Sequence, residues 1–356
     1  DCSGFRDVYL PGSYSAEVGS MRRGLLTIWL SIACAVNCHG AFADEQAQVV
    51  EAKVRREHAT WIRECGRPRE SLNWINHAIA LDPNHPDGYS ERCRTYQLLG
   101  KLDYAFADIS RAIKLRLNDE GFHYRRALIA IEQKEWLWAL ADLNKVLELQ
   151  PDYIPAYLHR ATVHRMRREF TQALADLNHV VREKPKLTRA YLERGVLLTQ
   201  MGDDVRAEAS YDACLQLNGQ DLNALVQRGQ VRSRLGRKQD ALDDFATALF
   251  IEPRCAAALY QRACLWGESR QWRGAFADLE QVMRTNRGYV ASAHLKRAEF
   301  YIQLGDGAAA KRDVVACLSI RPEWTKKVEQ RLLAAVRKRD GESELGELEY
   351  SWLLAP

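Results

Sequence analysis

Residues 222–255, LNALVQRGQVRSRLGRKQDALDDFATALFIEPRC, read as two helices with a break between them. In the second half, Ala241, Phe245 and Ala248 recur at spacings of four and three, which places them on one buried helical face. Gly236 interrupts the run, and Pro253 ends it. In the first half, Gly229 is a small residue on a helical stretch, where a second helix can approach closely. A single hairpin cannot bury its apolar face alone, so the segment needs neighbours of its own kind.

The rest of the chain supplies them. Shifting the window by 34 residues gives units that start at Ala52, Pro86, Glu120, Ile154, Thr188, Leu222 and Ala256, with an eighth at Ala291 after one inserted residue near Gly288. Place 8 of each unit is small: Ala59, Cys93, Ala127, Ala161, Gly195, Gly229, Ala263 and Ala298. Place 20 is Ser71 and then Ala in every unit, and place 24 is apolar or aromatic from Ile75 to Val314. Gly stands at place 15 in five units (Gly66, Gly100, Gly202, Gly236, Gly305) and Pro at place 32 in five (Pro83, Pro151, Pro185, Pro253, Pro322).

Period and columns together resemble the tetratricopeptide repeat family over residues 52–324. The resemblance implies an all-α, right-handed superhelical solenoid of antiparallel helix pairs, with units at 52–85, 86–119, 120–153, 154–187, 188–221, 222–255, 256–290 and 291–324. The first unit departs most, with Arg55 where the family prefers an aromatic. The pentatricopeptide repeat has a similar period and would imply RNA binding. Against nucleic acid stand 51 basic residues interleaved with 47 acidic ones, a net charge of only +4. Residues 325–339 place Val328, Leu332, Leu333 and Val336 at helical spacing under a basic face, as a capping helix would. The tail, 340–356, is acidic and then apolar.

One departure from the family is systematic. Place 7, commonly Leu, is Arg in seven units, and place 23 is Asp in six of them: Arg92 and Asp108, Arg126 and Asp142, Arg160 and Asp176, Arg228 and Asp244, Arg262 and Asp278, Arg297 and Asp313. The two places are equally far from the turn, so they should face each other across the hairpin as a register-fixing ladder. The alternative is a set of solvated surface pairs, each contributing about 0–1 kcal/mol. In the fifth unit Arg194 faces Ser210, and Asp212 is the expected substitute partner.

At the amino-terminal side, Met21, the basic pair Arg22 and Arg23, the apolar run 24–36 and Ala41-Phe42-Ala43 read as a signal peptide, 21–43, cleaved before Asp44, with an uncleaved anchor or a core helix as the alternatives. Residues 1–20 read as an over-extended start and 44–51 as a short leader. The expected location is therefore exported, periplasmic or extracellular, with no stable membrane span after cleavage. The cysteines follow no disulfide framework, and Cys93, Cys214 and Cys317 fall in small-residue packing places, so mostly free thiols are expected. There is no CxxC pair, phosphate loop, nucleophile elbow or stacked histidine pair. No catalytic residue, metal site or cofactor is therefore assigned.

The family resemblance also implies that places 2, 5, 9 and 12 of the first helices line a concave groove. Place 5 carries Tyr124, Leu158, Leu192, Val226, Tyr260 and Leu295, and place 9 carries Leu128 and Val196, which together suggest an apolar floor. Arg94, Arg165 and Arg189 would stand at its rim. The competing reading is that these apolar side chains pack between first helices and leave little for a ligand. The chaperone-tail clamp of some family members requires Lys and Asn where this chain has Arg56 and Thr60. The expectation is a non-enzymatic protein-interaction scaffold that takes a protein or peptide partner in that groove. Its alternatives are an accessory subunit of an envelope enzyme or export complex, and an unrecognised enzyme.

Overall fold

The computed structural model describes residues 42–340, so the expected start (1–20), most of the signal segment and nearly all of the 340–356 tail lie outside the described residues. Among the described residues there are seventeen α-helices, one 3-10 turn (Pro322–Trp324) and no strand. The described chain divides into two compact units, one on either side of the boundary between residues 169 and 170.

The first unit holds α1 (Phe42–Glu64), α2 (Pro68–Leu81), α3 (Pro86–Leu98), α4 (Leu102–Leu115), α5 (Glu120–Glu132), α6 (Trp136–Leu149) and α7 (Ile154–Met166). Here α1 packs with α2, α3 with α4 and α5 with α6, while α7 lies against α6. The expected leader 44–51 is helical and continuous with α1, which begins ahead of the first repeat.

The second unit holds α8 (Phe170–Glu183), α9 (Thr188–Met201), α10 (Asp204–Leu217), α11 (Leu222–Arg234), α12 (Lys238–Ile251), α13 (Ala256–Glu268), α14 (Trp272–Thr285), α15 (Val290–Leu304), α16 (Gly307–Ile320) and α17 (Thr325–Asp340). α9 pairs with α10, α11 with α12, α13 with α14 and α15 with α16. The capping helix α17 buries Val328, Leu332, Ala335 and Val336, and it lies against α15.

Each hairpin turns at place 15 in the left-handed region, for example Gly236 at φ 79°. There Gly236 N–H donates to the Ser233 carbonyl at 3.0 Å and Arg237 N–H to the Arg232 carbonyl at 2.9 Å, which satisfies the last carbonyls of α11. The three units without Gly make the same turn with Lys134, Arg168 and Arg270, at φ 63°, 62° and 57°. The packing of the pair therefore dictates the turn even where the residue resists it.

Inside the hairpin, places 8 and 24 exchange volume. The first unit sets Ala59, Cys93 and Ala127 on first helices that pair with those carrying Ile75, Ile109 and Leu143. The second sets Gly195 against Tyr211 and Gly229 against Phe245, and a Cβ on these glycines would come within 2.5 and 2.6 Å of the rings. The two fully buried aromatics are accommodated only because the facing place has no side chain.

Candidate binding face

The arginines at place 7 join helices. Arg92 donates from Nε and Nη2 to both carboxylate oxygens of Asp108, at 2.8 and 2.7 Å. Arg126 does the same with Asp142, Arg228 with Asp244, Arg262 with Asp278 and Arg297 with Asp313, each within 3.1 Å. These carboxylates are nearly removed from water, Asp142 being only 2% exposed. Place 23 is thus a buried anion answered by a fork of donors.

A second function of these arginines was not visible from the hairpin alone. Nη1 reaches back to place 25 of the preceding repeat: Arg92 to Asn76 at 2.8 Å, Arg126 to Ser110 at 3.3 Å, Arg160 to Asn144 at 2.8 Å, Arg194 to Asn178 at 3.3 Å and Arg228 to Asp212 at 2.6 Å. Asp212 therefore serves the next repeat rather than Arg194. Two residues beyond place 23, its side chain has turned about 200° around the helix and leaves its own hairpin. Arg194 instead donates to Ser210 Oγ at 3.2 Å. Burial without a carboxylate pushes the Arg194 guanidinium below its ordinary pKa. Arg228 moves the other way, because its hydrogen bonds to Asp244 and Asp212 outweigh its burial. Two histidines add to the scheme: His123 Nδ1 lies 2.9 Å from Asp142, and His294 Nδ1 lies 2.7 Å from Asp313.

The expected apolar floor takes a different form. In the first unit, Tyr124 packs its ring on Tyr153 and His159, Leu158 is buried and Leu128 is half-buried. In the second, Leu192 and Val196 pack against the core between α9 and its neighbours, Val226 and Leu295 are buried, and Tyr260 is half-buried. Leu295 has no exposed surface at all. Neighbouring first helices lie close enough for these side chains to fill the space between them, so most of the apolar area is withdrawn from any ligand.

Cations, instead, mark the first-helix face of the first unit. Arg63 of α1, at place 12, is buried and forms an ion pair with Glu91 of α3, which also accepts from Thr60 at 3.1 Å. Arg94, at place 9 of α3, sits 3.3 Å from the other oxygen of Glu91. Arg125 stands at place 6 of α5. Burial opposes ionisation of Glu91, yet the bond from Arg63 and the charges around it hold its carboxyl below the usual range. Buried Nε atoms of Arg94, Arg125 and Arg165 have no hydrogen-bond partner. Arg63 and Arg125 were not singled out from the sequence. The signal was present, since residues 63, 94 and 125 recur every 31 residues, one helical turn short of the repeat. Arg189, in the second unit, is exposed and 3.9 Å from Glu193.

The second unit has a cleft of about 200 Å³ where α17 covers α13 and α15, lined by Cys264, Lys296, Glu299, Phe300, Gln303 and Arg331 among others. Buried Glu299 is 2.7 Å from Lys296 Nζ and 2.5 Å from Arg331 Nε. Burial raises the Cys264 thiol to about 11, so it rests as the unreactive thiol. Among the described residues no cluster of three metal-ligating side chains occurs, all six cysteines are free, and no helix is long and apolar enough to cross a membrane.

Helix pairs with left-handed turns at place 15, small residues at places 8 and 20 and mutual stacking define a helical-repeat protein. The array is of the tetratricopeptide type: the tetratricopeptide repeat family model matches residues 188–221, the fifth unit read from the sequence. Among solved structures, a tetratricopeptide repeat protein of Parabacteroides merdae aligns at 19% identity with a TM-score of 0.59, covering 70% of this chain and 98% of its own. The C-terminal part of a repeat-containing protein of Cytophaga hutchinsonii aligns at 14% identity and TM-score 0.55, covering 65% of this chain and 95% of its own. PilF of Pseudomonas aeruginosa aligns at 16% identity and TM-score 0.51, covering 61% and 98%. At these identities the likeness is one of fold. No curated protein sequence matches the chain.

Proposed function

We propose that this protein is a non-catalytic interaction scaffold that holds a peptide segment or partner protein on its first-helix face, and that it works outside the cytoplasm. The tetratricopeptide array supports interaction with proteins as the general role. The observation that carries the choice of face is the set of half-buried guanidiniums, Arg94, Arg125 and Arg165, whose Nε–H groups lack acceptors. A buried N–H without an acceptor costs about 1–3 kcal/mol, so the scaffold's own packing gives no polar return for holding these arginines, and their exposed remainder is what a partner would meet. Export is supported by the basic, apolar and small-residue sequence of 21–43.

Panning a random peptide library against the full chain tests the face. Wild type should enrich a consensus that an Arg94→Ala/Arg165→Ala variant with an unchanged melting profile does not retain. Equal enrichment by both proteins would move the site elsewhere, and no enrichment by either would end the peptide-scaffold reading. For location, cell fractionation with amino-terminal sequencing should find a processed chain beginning at Asp44 outside the cytoplasm; an unprocessed cytoplasmic chain would overturn it.

A further inference from the structure

Two hairpin ends of the first unit carry apolar side chains that the fold does not use. Leu98 closes α3, Tyr104 stands in the first turn of α4, and Leu137 and Trp138 lie in the first turn of α6. Each leaves more than half of its surface to water. The repeat supplies its own control. Leu137 and Trp138 hold places 18 and 19, which are Arg69 and Glu70 in the first repeat and Gln239 and Asp240 in the sixth. Polar residues serve the hairpin equally well there, so its packing gives no reason for a leucine followed by a tryptophan.

The two ends form one edge. Gln133 Nε2 donates to Asp103 Oδ1 at 2.8 Å, from the turn of the third repeat to α4 of the second. The Trp138 ring meets Phe106 of α4 edge-on at 5.8 Å, and the Arg126 guanidinium lies 5.4 Å from its centre. Tyr104 lies 5.3 Å from Tyr96, with Lys101 Nζ 5.8 Å from its ring. Both rings are therefore held by the protein on one side and bare on the other. The tip stands clear of its surroundings, since a Cβ on Gly100 would find no atom within 4 Å. Charges of both signs flank it: Lys101 and Lys134 against Asp103, Glu132 and Glu135, all exposed.

Protruding aliphatic and aromatic side chains with lysines beside them match the boundary between lipid headgroups and acyl chains, where Trp and Tyr bury a ring and keep the polar end wet. A protein partner would need a groove to receive such a ridge, whereas a bilayer surface needs only to yield. The balance of charge favours zwitterionic headgroups over an anionic surface, which attracts clustered cations. We infer that the hairpin ends of the second and third repeats dip into the headgroup region of a zwitterionic phospholipid bilayer, with Leu98, Tyr104, Leu137 and Trp138 as the inserted groups. The contact is peripheral and uses none of the residues proposed for the peptide face, so it stands or falls independently of that reading.

The apolar run 24–36 of the full chain could itself enter a bilayer, so the edge must be read directly. Tryptophan emission of the full chain is recorded with phosphatidylcholine vesicles whose acyl chains carry bromine, a short-range quencher, for wild type and for Trp138→Phe. Wild type should show a quenched component that is missing from Trp138→Phe, and added salt should leave it in place because the insertion is apolar. Leu137→Ser, an exposed change that should leave the melting temperature unaltered, should raise about tenfold the lipid concentration needed for half of that component, the effect of one lost leucine. Phe250→Ser, equally exposed but in the second unit, should not change it. Equal quenching of wild type and Trp138→Phe overturns the inference. So does a component that appears only with phosphatidylglycerol vesicles at low salt, which would make the contact electrostatic. A concentration-dependent dimer abolished by Leu137→Ser also overturns it, because the edge would then be a surface between copies of the chain.

Discussion

The two units use one hairpin and differ in how far the charge on their helices is compensated. In the second unit Arg228 meets Asp212 and Asp244, and Arg232 meets Glu208 and Asp244, while Lys296 and Arg331 share Glu299 and Arg194 has only the neutral Ser210 and Asn178. In the first unit Arg92 and Arg126 meet Asp108 and Asp142, but Arg94 has only one oxygen of Glu91, at 3.3 Å, and the buried Nε atoms of Arg94 and Arg125 have no partner. The ladder belongs to the scaffold, since it joins two helices of a repeat to the one before.

The largest expected effect tests the compensated side. Asp244 is buried and accepts from both Arg228 and Arg232, so Asp244→Ala takes from each its buried carboxylate and leaves them only Asp212 and Glu208. The cost should be about 3–5 kcal/mol, the range for removing one partner of a buried ion pair, read as a fall in the urea midpoint. Arg125→Gln in the first unit should cost nothing, or stabilise slightly. Equal losses from the two substitutions would erase the distinction between the units.

A second comparison concerns volume. Only the second unit places Gly against an aromatic across the hairpin. Gly195→Ala should therefore cost about 1–3 kcal/mol through overpacking against Tyr211. Adding Tyr211→Leu, which imitates the first unit's solution, should recover part of the loss, giving a non-additive double-mutant cycle. Strict additivity would show that the two side chains do not compete for the same space.

These contrasts also show which parts of the structure were legible in the sequence. Places 8, 20 and 24 announced the fold because the same contact recurs eight times and the period averages out local exceptions such as Gly195. The Arg to Asp pairing across each hairpin follows from distance to the turn alone. Its extension to Asn76, Ser110 and Asp212 does not, because it depends on how one hairpin stacks on the next. That is why Asp212 was expected at Arg194 and is found at Arg228. The proposed binding face was legible only in part: Arg94 and Arg165 stand out by place, but place 5 reads the same whether a residue faces a groove or, like Leu295, fills the gap between helices.

Acid should separate the units' carboxylates by their partners. Burial alone would raise Asp313, but the hydrogen bonds from His294 and Arg297 outweigh it and hold its carboxyl below the usual range. A depressed folded pKa contributes stability that is fully present above the unfolded value, about 3.9, and is lost as pH falls through the folded one. Asp313→Asn should flatten that acid limb of the stability curve in denaturant titrations, while Ser210, which has no charge to lose, should leave it unaltered when changed to Ala. An acid limb that persists in Asp313→Asn would assign the loss to other carboxylates, Glu91 first among them.

The smallest effect probes what the two units share. Lys134 in the first and Arg270 in the second hold the left-handed turn that other repeats entrust to Gly. A side chain in that region costs about 1–2 kcal/mol, and Gly in its place adds roughly 0.5–1 kcal/mol of backbone entropy to be lost on folding. The balance predicts that Lys134→Gly and Arg270→Gly each stabilise by about 0.5 kcal/mol, with Gly236→Ala shifting the midpoint the other way. No atom lies near enough to a Cβ at Gly236 to confuse strain with collision. If Lys134→Gly gains and Arg270→Gly loses, the turn is not the common element it appears by geometry, and the Arg270 side chain must be contributing in its own repeat.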